Sequence, residues 1–251
     1  MNLVISSLPA LALGATLGFF GGVFGIGGGI IAIPVLVLGF GMDQPTAQGT
    51  ALAMMVPNLV MAWWRYARHN AVGISWTAAG IAAVATLTTW GAARLAQHLD
   101  PAALQVAFAL FLMVLGVAQL PARSQTPAHP PLHARFMPLV GVVGGGSMGL
   151  LGVGGGLVAT PMLTGMFGLS QRAAQSIALA LVTPSSAAAL SAYAEHQRVD
   201  WPLGLALAAG GIATVSAGVA VAHSCSEATL RRAFGIMLIV TGLIFLLRRL
   251  V

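Results

Sequence analysis

The chain is a series of long apolar runs broken by short polar pieces, and residues 1–42 hold no charged side chain. Two apolar arms, 3–24 and 28–41, flank Gly25-Ile26-Gly27-Gly28-Gly29, with Pro34 six positions beyond Gly28. Wound as one helix, this stretch would be about 58 Å long, nearly twice a hydrocarbon core of roughly 30 Å. Apolar segments follow over 46–64, 73–95 and 102–120, each long enough for one crossing. Trp63-Trp64-Arg65 ends the first of them with an aromatic and cationic interface anchor. Asp100-Pro101 starts the third with an N-cap and a proline at the first helical position. Residues 121–135 change character, with Pro121, Pro127, Pro130 and Pro131 among polar residues. The plan then repeats as a broken stretch over 136–168 and segments near 174–193, 201–222 and 228–247, closed by Arg248-Arg249.

The repetition extends to residue identity. Gly152-Val153-Gly154-Gly155-Gly156 with Pro161 stands 127 positions after the first glycine loop. Residues 18–58 laid on 145–185 without a gap agree at 18 of 41 positions, including Gln44 with Gln171, Gln48 with Gln175 and Pro57 with Pro184. Tyr66 and His69 match Tyr193 and His196 at the same offset. A fixed offset marks a duplicated unit. The pattern predicts an all-α integral membrane protein of two homologous halves, 1–120 and 136–251, joined by a proline-rich linker at 121–135. Each half holds one glycine-broken helix or re-entrant hairpin plus three transmembrane helices. A hairpin makes the halves inverted; a single broken crossing makes them parallel. Either way the eleven arginines divide seven against four, so charge does not decide. The arms of the second loop, about 16 and 11 residues, are short for full spans and favour inversion.

Composition agrees with a bilayer. Apolar residues make up 58% and charged residues 6%, with a mean hydropathy of +0.92, whereas a soluble domain carries about 25% charged residues. The net charge of +6 comes from scattered arginines, with no lysine, so no basic face for nucleic acid is expected. The single cysteine, Cys225, excludes an intramolecular disulfide. Met1-Asn2-Leu3 lacks a positive n-region, and no removed signal peptide is expected. His129 and His133 stand at a metal-ligand spacing, but the prolines around them oppose a helix. Neither a metal nor a cofactor is expected.

The glycines carry the candidate chemistry. Unwound backbone in hydrocarbon leaves N–H and C=O groups unpaired, at several kcal/mol each unless something meets them. Three glycines in a row permit positive φ and close approach of a solute, and the helix that follows offers N–H groups and the positive end of its dipole. Such a loop suits an anion. The candidate binding residues are Gly27, Gly28, Gly29, Gln48, Thr50 and Asn58, with Gly154, Gly155, Gly156, Gln175, Thr183 and Ser185. A side chain placed at Gly28 or Gly155 is expected to stop transport without unfolding the protein. The upstream glycines, Gly18 with Gly22 and Gly141 with Gly145 and Gly149, have the spacing of helix-packing ridges. Asp43 and Arg172, at the turns after each broken stretch, read as caps at the lipid interface.

The glycine motifs with their prolines, Gln48-Gly49-Thr50-Ala51-Leu52, the Tyr66/His69 exit and their second copies resemble the TauE/SafE membrane proteins over essentially the whole chain. The resemblance implies a secondary transporter for a small, often sulfur-containing anion in a bacterial inner membrane, with sulfite or organosulfonate exporters and uptake permeases as relatives. The second copy departs by reading Gln175-Ser176-Ile177, without the Gly-Thr pair. Expected partners are a small anionic solute and the lipid bilayer, with a homodimer as an option. An anion channel and an ion-coupled uptake permease are the alternatives. Gly145-Gly146-Ser147-Met148-Gly149 has the letters of a serine-hydrolase elbow, with His196 or His223 as base, but no strand precedes it. Gly27 to Ala32 loosely fits a dinucleotide loop, again without its β-α-β setting. No enzyme is expected.

Overall fold

The computed structural model describes residues 3–24, 28–69, 76–120, 132–153, 155–169, 171–224 and 227–250. Among the described residues there are ten α-helices and no strand: α1 (Leu3–Phe24), α2 (Gly29–Phe40), α3 (Gln44–His69), α4 (Trp76–His98), α5 (Pro101–Gln119), α6 (Pro138–Leu151), α7 (Gly155–Gly165), α8 (Gln171–Glu195), α9 (Trp201–Ser224) and α10 (Glu227–Leu250), with a 3-10 turn at Ala134–Phe136. The Asp100 carboxylate accepts from the Ala103 N–H at 3.2 Å with Pro101 at the first position, so α5 starts where cap and proline place it. The linker over 121–131, Cys225 and the side chains of Tyr66, His69 and Arg172 lie outside the described residues.

Small residues decide which helices pair. Gly14 packs on Leu207 and Gly18 on Gly211, while Gly218 packs on Phe19 and Val23, so α1 and α9 run side by side in the same direction. A Cβ on Gly14, Gly18 or Gly218 would overlap backbone of the partner helix. The ridge Gly141, Gly145 and Gly149 on α6 meets Ile81, Ala85 and Thr89 on α4 in the same way, and Thr89 Oγ1 donates to the Gly145 carbonyl at 3.0 Å. Hydrocarbon gives helices no solvophobic reason to associate, so close backbone approach and interhelical hydrogen bonds supply the contact. α5 and α10 pair antiparallel through Gly116, Gly235 and Gly242, with Phe108 and Phe245 rings 5.8 Å apart.

Both glycine-broken stretches fold back. Gly29 lies against Met55 of α3, and eleven residues later α2 ends at the turn 41–43, which feeds straight into Gln44. α2 therefore runs antiparallel to the first half of α3. Gly155 and Ala159 pack on Gly144, and the Leu132 N–H reaches the Met166 carbonyl at 2.8 Å, so α7 returns along α6. At 12 and 11 residues, α2 and α7 are about 18 and 16 Å long, about half of a bilayer core. Residues 55 and 182, which meet Gly29 and Gly156, are at the middles of α3 and α8. The glycines consequently lie halfway along the two longest helices.

α5, α8, α9 and α10 are each long and apolar enough to cross a membrane, over Pro101–Gln119, Ile177–Glu195, Trp201–Gly218 and Thr229–Leu247. α3 and α4 match them in length, at 26 and 23 residues. α3 packs against α2, α8 and α9, whereas α4 packs on α6 and α8 and turns Leu87 and Leu95 outward. The start of α3 and the ends of α4 and α8 meet at one end of the molecule, joined by the ion pairs Asp43–Arg198 and Arg94–Glu195, both at 2.7 Å. The Asp43 carboxylate pairs with Arg198 just before α3, and its carbonyl accepts the Ala47 N–H. Both members of Asp43–Arg198 are over a third exposed, so a double-mutant cycle with Asp43→Ala and Arg198→Ala is expected to give a coupling of only about 0.2–1 kcal/mol in thermal unfolding.

Candidate solute site

Gly28 adopts φ 82°, a left-handed conformation that favours glycine, and forms the N-cap of α2 with no side chain capping it. Its carbonyl accepts the N–H groups of Ile31 and Ala32, which leaves those of Gly28, Gly29 and Ile30 outside the helical ladder. Pro34 has no N–H, so the Ile30 carbonyl also loses its helical donor. Space around the loop is tight: a Cβ on Gly28 would stand 2.8 Å from Met54 Cε and 3.0 Å from the Leu17 carbonyl oxygen, and one on Gly29 would overlap the Met55 sulfur. In the second loop the left-handed residue is Gly152, at φ 69°, which caps the C-terminus of α6. Gly155 and Gly156 then start α7 against Val182.

The two loops meet on α3. A Cβ on Gly152 would lie 3.0 Å from Gln48 Cβ, so the second loop rests on Gln48 while the first rests on Met55. Seven residues apart, Gln48 and Met55 share one face of α3, about 10 Å from each other along its axis. Leu151 and Val153 of the second loop belong to the same apolar cluster as Ile30 and Ile33 of α2.

Gln48 is fully buried. Its Oε1 accepts from Tyr193 Oη at 2.6 Å, and the same hydroxyl lies 3.1 Å from the Gly149 carbonyl. With its oxygen held by Tyr193, the Gln48 amide turns its nitrogen the other way, and Nε2 has no partner. An unpaired buried amide costs about 1–3 kcal/mol, which a fold tolerates where a ligand later satisfies it.

The other expected residues divide. Thr50 is fully buried, but its hydroxyl accepts the Asp200 N–H at 3.0 Å and ties α3 to the start of α9. Thr183 Oγ1 donates to the Leu179 carbonyl of its own helix at 2.9 Å. Both are engaged in structure. Asn58 packs on Gly211 of α9, away from Gly152, and its Oδ1 is unpaired. Ser185, its counterpart at the offset of 127, is fully buried with Oγ unpaired. Gly27, Gly154 and the Gln175 side chain lie outside the described residues. Sequence reasoning missed Tyr193 as the residue that orients Gln48, although its match with Tyr66 was visible. It also passed over Gln44, which is buried with neither amide atom paired.

Ser147 donates to the Gly144 carbonyl at 2.9 Å within its own helix, and the His196 ring is engaged with the Ala192 carbonyl at 2.9 Å, so these two do not form a nucleophile and base pair. A groove of about 400 Å³ between α2 and α10, lined by Ile31, Val35, Leu38, Met237, Thr241 and Ile244, is apolar and offers an anion no donor set.

A sequence profile described as "Sulfite exporter TauE/SafE" matches residues 10–245. The chain belongs to the TauE/SafE family. It is 26% identical over 251 residues to a "Probable membrane transporter protein" of Xylella fastidiosa, covering 95% of this chain and 94% of that one. A "Probable membrane transporter protein" of Methanocaldococcus jannaschii is likewise 26% identical, over 259 residues and 96% of each chain. No solved structure matches. Family and fold together make this TauE/SafE chain a helical membrane transporter.

Proposed function

We propose that this protein carries a small sulfur-containing oxyanion, of the sulfite or sulfonate kind, across a bacterial inner membrane by alternating access, with export as its working direction. The reading rests on one observation: two glycine-led loops halfway along the longest helices meet one face of α3, where the buried Gln48 Nε2 lacks a partner. Amide and backbone N–H groups with helix N-termini are donors of the kind that bind oxyanions. The anion sits between the loops, against the N–H groups at Gly28 and Gly29, those around Gly155 and Gly156, and the Gln48 amide.

Rocking then exposes it to either side in turn. Helix pairing supports halves related by inversion. Exchanging α1–α5 with α6–α10 turns α1–α9 into α6–α4 and α3–α9 into α8–α4, and leaves α3–α8 and α5–α10 unchanged. The two hairpins also enter from opposite ends, since α1 runs with α9 and α6 with α4. An inside-negative potential drives anion export by about 2.3 kcal/mol per charge per 100 mV, so export needs no coupling ion.

The test is a thermal-shift screen of the purified protein against sulfite, sulfate, thiosulfate, sulfoacetate, taurine and simple carboxylates. Concentration-dependent stabilisation by a sulfur oxyanion, with flux that saturates in proteoliposomes, is the expected result. Stabilisation by carboxylates alone overturns the solute class, and flux linear in concentration overturns carriage in favour of a channel.

A further inference from the structure

Gln44 opens α3 one turn before Gln48, is 2% exposed, and has no partner for either atom of its amide. A buried amide left without partners is unfavourable enough to need a reason. Capping does not supply one, because the amide makes no bond to backbone. Position does: residues four apart on a helix share a face, with Cβ atoms about 5–6 Å from one another. Gln44 therefore stands in file with Gln48, whose Nε2 is also unpartnered, on the face of α3 that meets the second glycine loop.

We propose that Gln44 is a second solute-contacting side chain, and that Gln44 and Gln48 form one clamp for a head group with at least two oxygens. The inference rests on the transport site described above and assigns it a further residue. Side chains whose Cβ atoms stand about 5–6 Å apart can each bring an amide N–H to one of two oxygens of a single sulfite or sulfonate group, at about 2.9 Å. A halide presents only one centre to such a pair. Tyr193 is the positioning residue: its hydroxyl donates to Gln48 Oε1 at 2.6 Å, closer than to the Gly149 carbonyl at 3.1 Å, and so keeps the Gln48 NH2 turned into the clamp. Gln44 lies beside the Asp43–Arg198 ion pair, so a solute approaching along α3 from that end meets Gln44 before Gln48.

The experiment compares the full-length wild type, Gln44→Leu, Gln44→Glu and Gln48→Leu in nanodiscs, with sulfite and chloride as probes and two readouts, binding affinity and probe-free melting temperature. Expected are sulfite binding about tenfold weaker in Gln44→Leu and in Gln48→Leu, none in Gln44→Glu, and a preference for sulfite over chloride that shrinks in Gln44→Leu. The probe-free melting temperature of Gln44→Leu should be unchanged or higher, because an apolar side chain of similar size removes an unpaired amide. Wild-type sulfite affinity in Gln44→Leu, with binding lost in Gln48→Leu, overturns the clamp and spares the site. A lower melting temperature in Gln44→Leu, or loss of its fold, gives Gln44 a structural role and also overturns the clamp. If the wild type does not bind sulfite, or Gln48→Leu binds it equally well, the site itself is wrong and the clamp falls with it.

Discussion

Replacing Gly155 by valine is expected to abolish sulfite flux through proteoliposomes while leaving the protein folded, with a melting temperature lowered by about 10 °C at most. Gly155 is absent from the positive-φ residues, so a branched side chain meets no backbone penalty there, and a Cβ would stand 3.1 Å from Val182 Cγ2. A side-chain methyl yields at a cost of about 1–3 kcal/mol. The new isopropyl group then covers the start of α7, whose N–H groups the proposed site offers to a solute. Gly28→Val should stop flux too, but not cleanly. Its φ of 82° is costly for a side chain, and the Leu17 carbonyl at 3.0 Å is backbone that does not move aside. Together these are expected to remove about 2–4 kcal/mol of stability. The structure thereby revises the expectation that both glycines could be filled without harm to the fold. Gly155 is the informative position, and wild-type flux in Gly155→Val would remove the loops from the transport path.

Gly145→Leu should instead destroy the fold. Its Cβ would overlap the Ala85 carbonyl and stand 3.0 Å from Ala85 Cα, so α6 would have to leave α4 and give up the Thr89–Gly145 hydrogen bond. The loss is expected to be about 3 kcal/mol or more, seen as a lower melting temperature in detergent and a poor yield of monodisperse protein. Gly146→Leu, one residue along, is the control. A Cβ there meets nothing within 4 Å, and stability should be unchanged. Equal behaviour of the two variants would mean that α4 and α6 are not held by this ridge.

Much of this architecture is written locally. Caps, prolines and glycines act within a turn or two, so the Asp100-Pro101 start of α5, the broken stretches around Gly28 and Gly152, and the packing role of Gly145 were all legible in the sequence. The preference for hairpins came from helix length alone, an argument that α2 and α7 satisfy at 12 and 11 residues. Only the tertiary structure decided which helices touch. That α1 lies along α9 and α6 along α4, each far from its partner in the chain, follows from which small-residue grooves fit. In a bilayer the outward face is as apolar as the inward one, so the spacing of apolar residues does not point to the interior as it does in a water-soluble helix. For the same reason Gln44 stands out in the sequence only as a match to Gln171, and it is the packing around α3 that buries it. Tyr193, 145 residues from Gln48, became part of the site only through the meeting of α3 and α8. Short-range chemistry determined the elements and their breaks; complementarity of distant surfaces decided where the breaks face and which polar atoms remain for a solute.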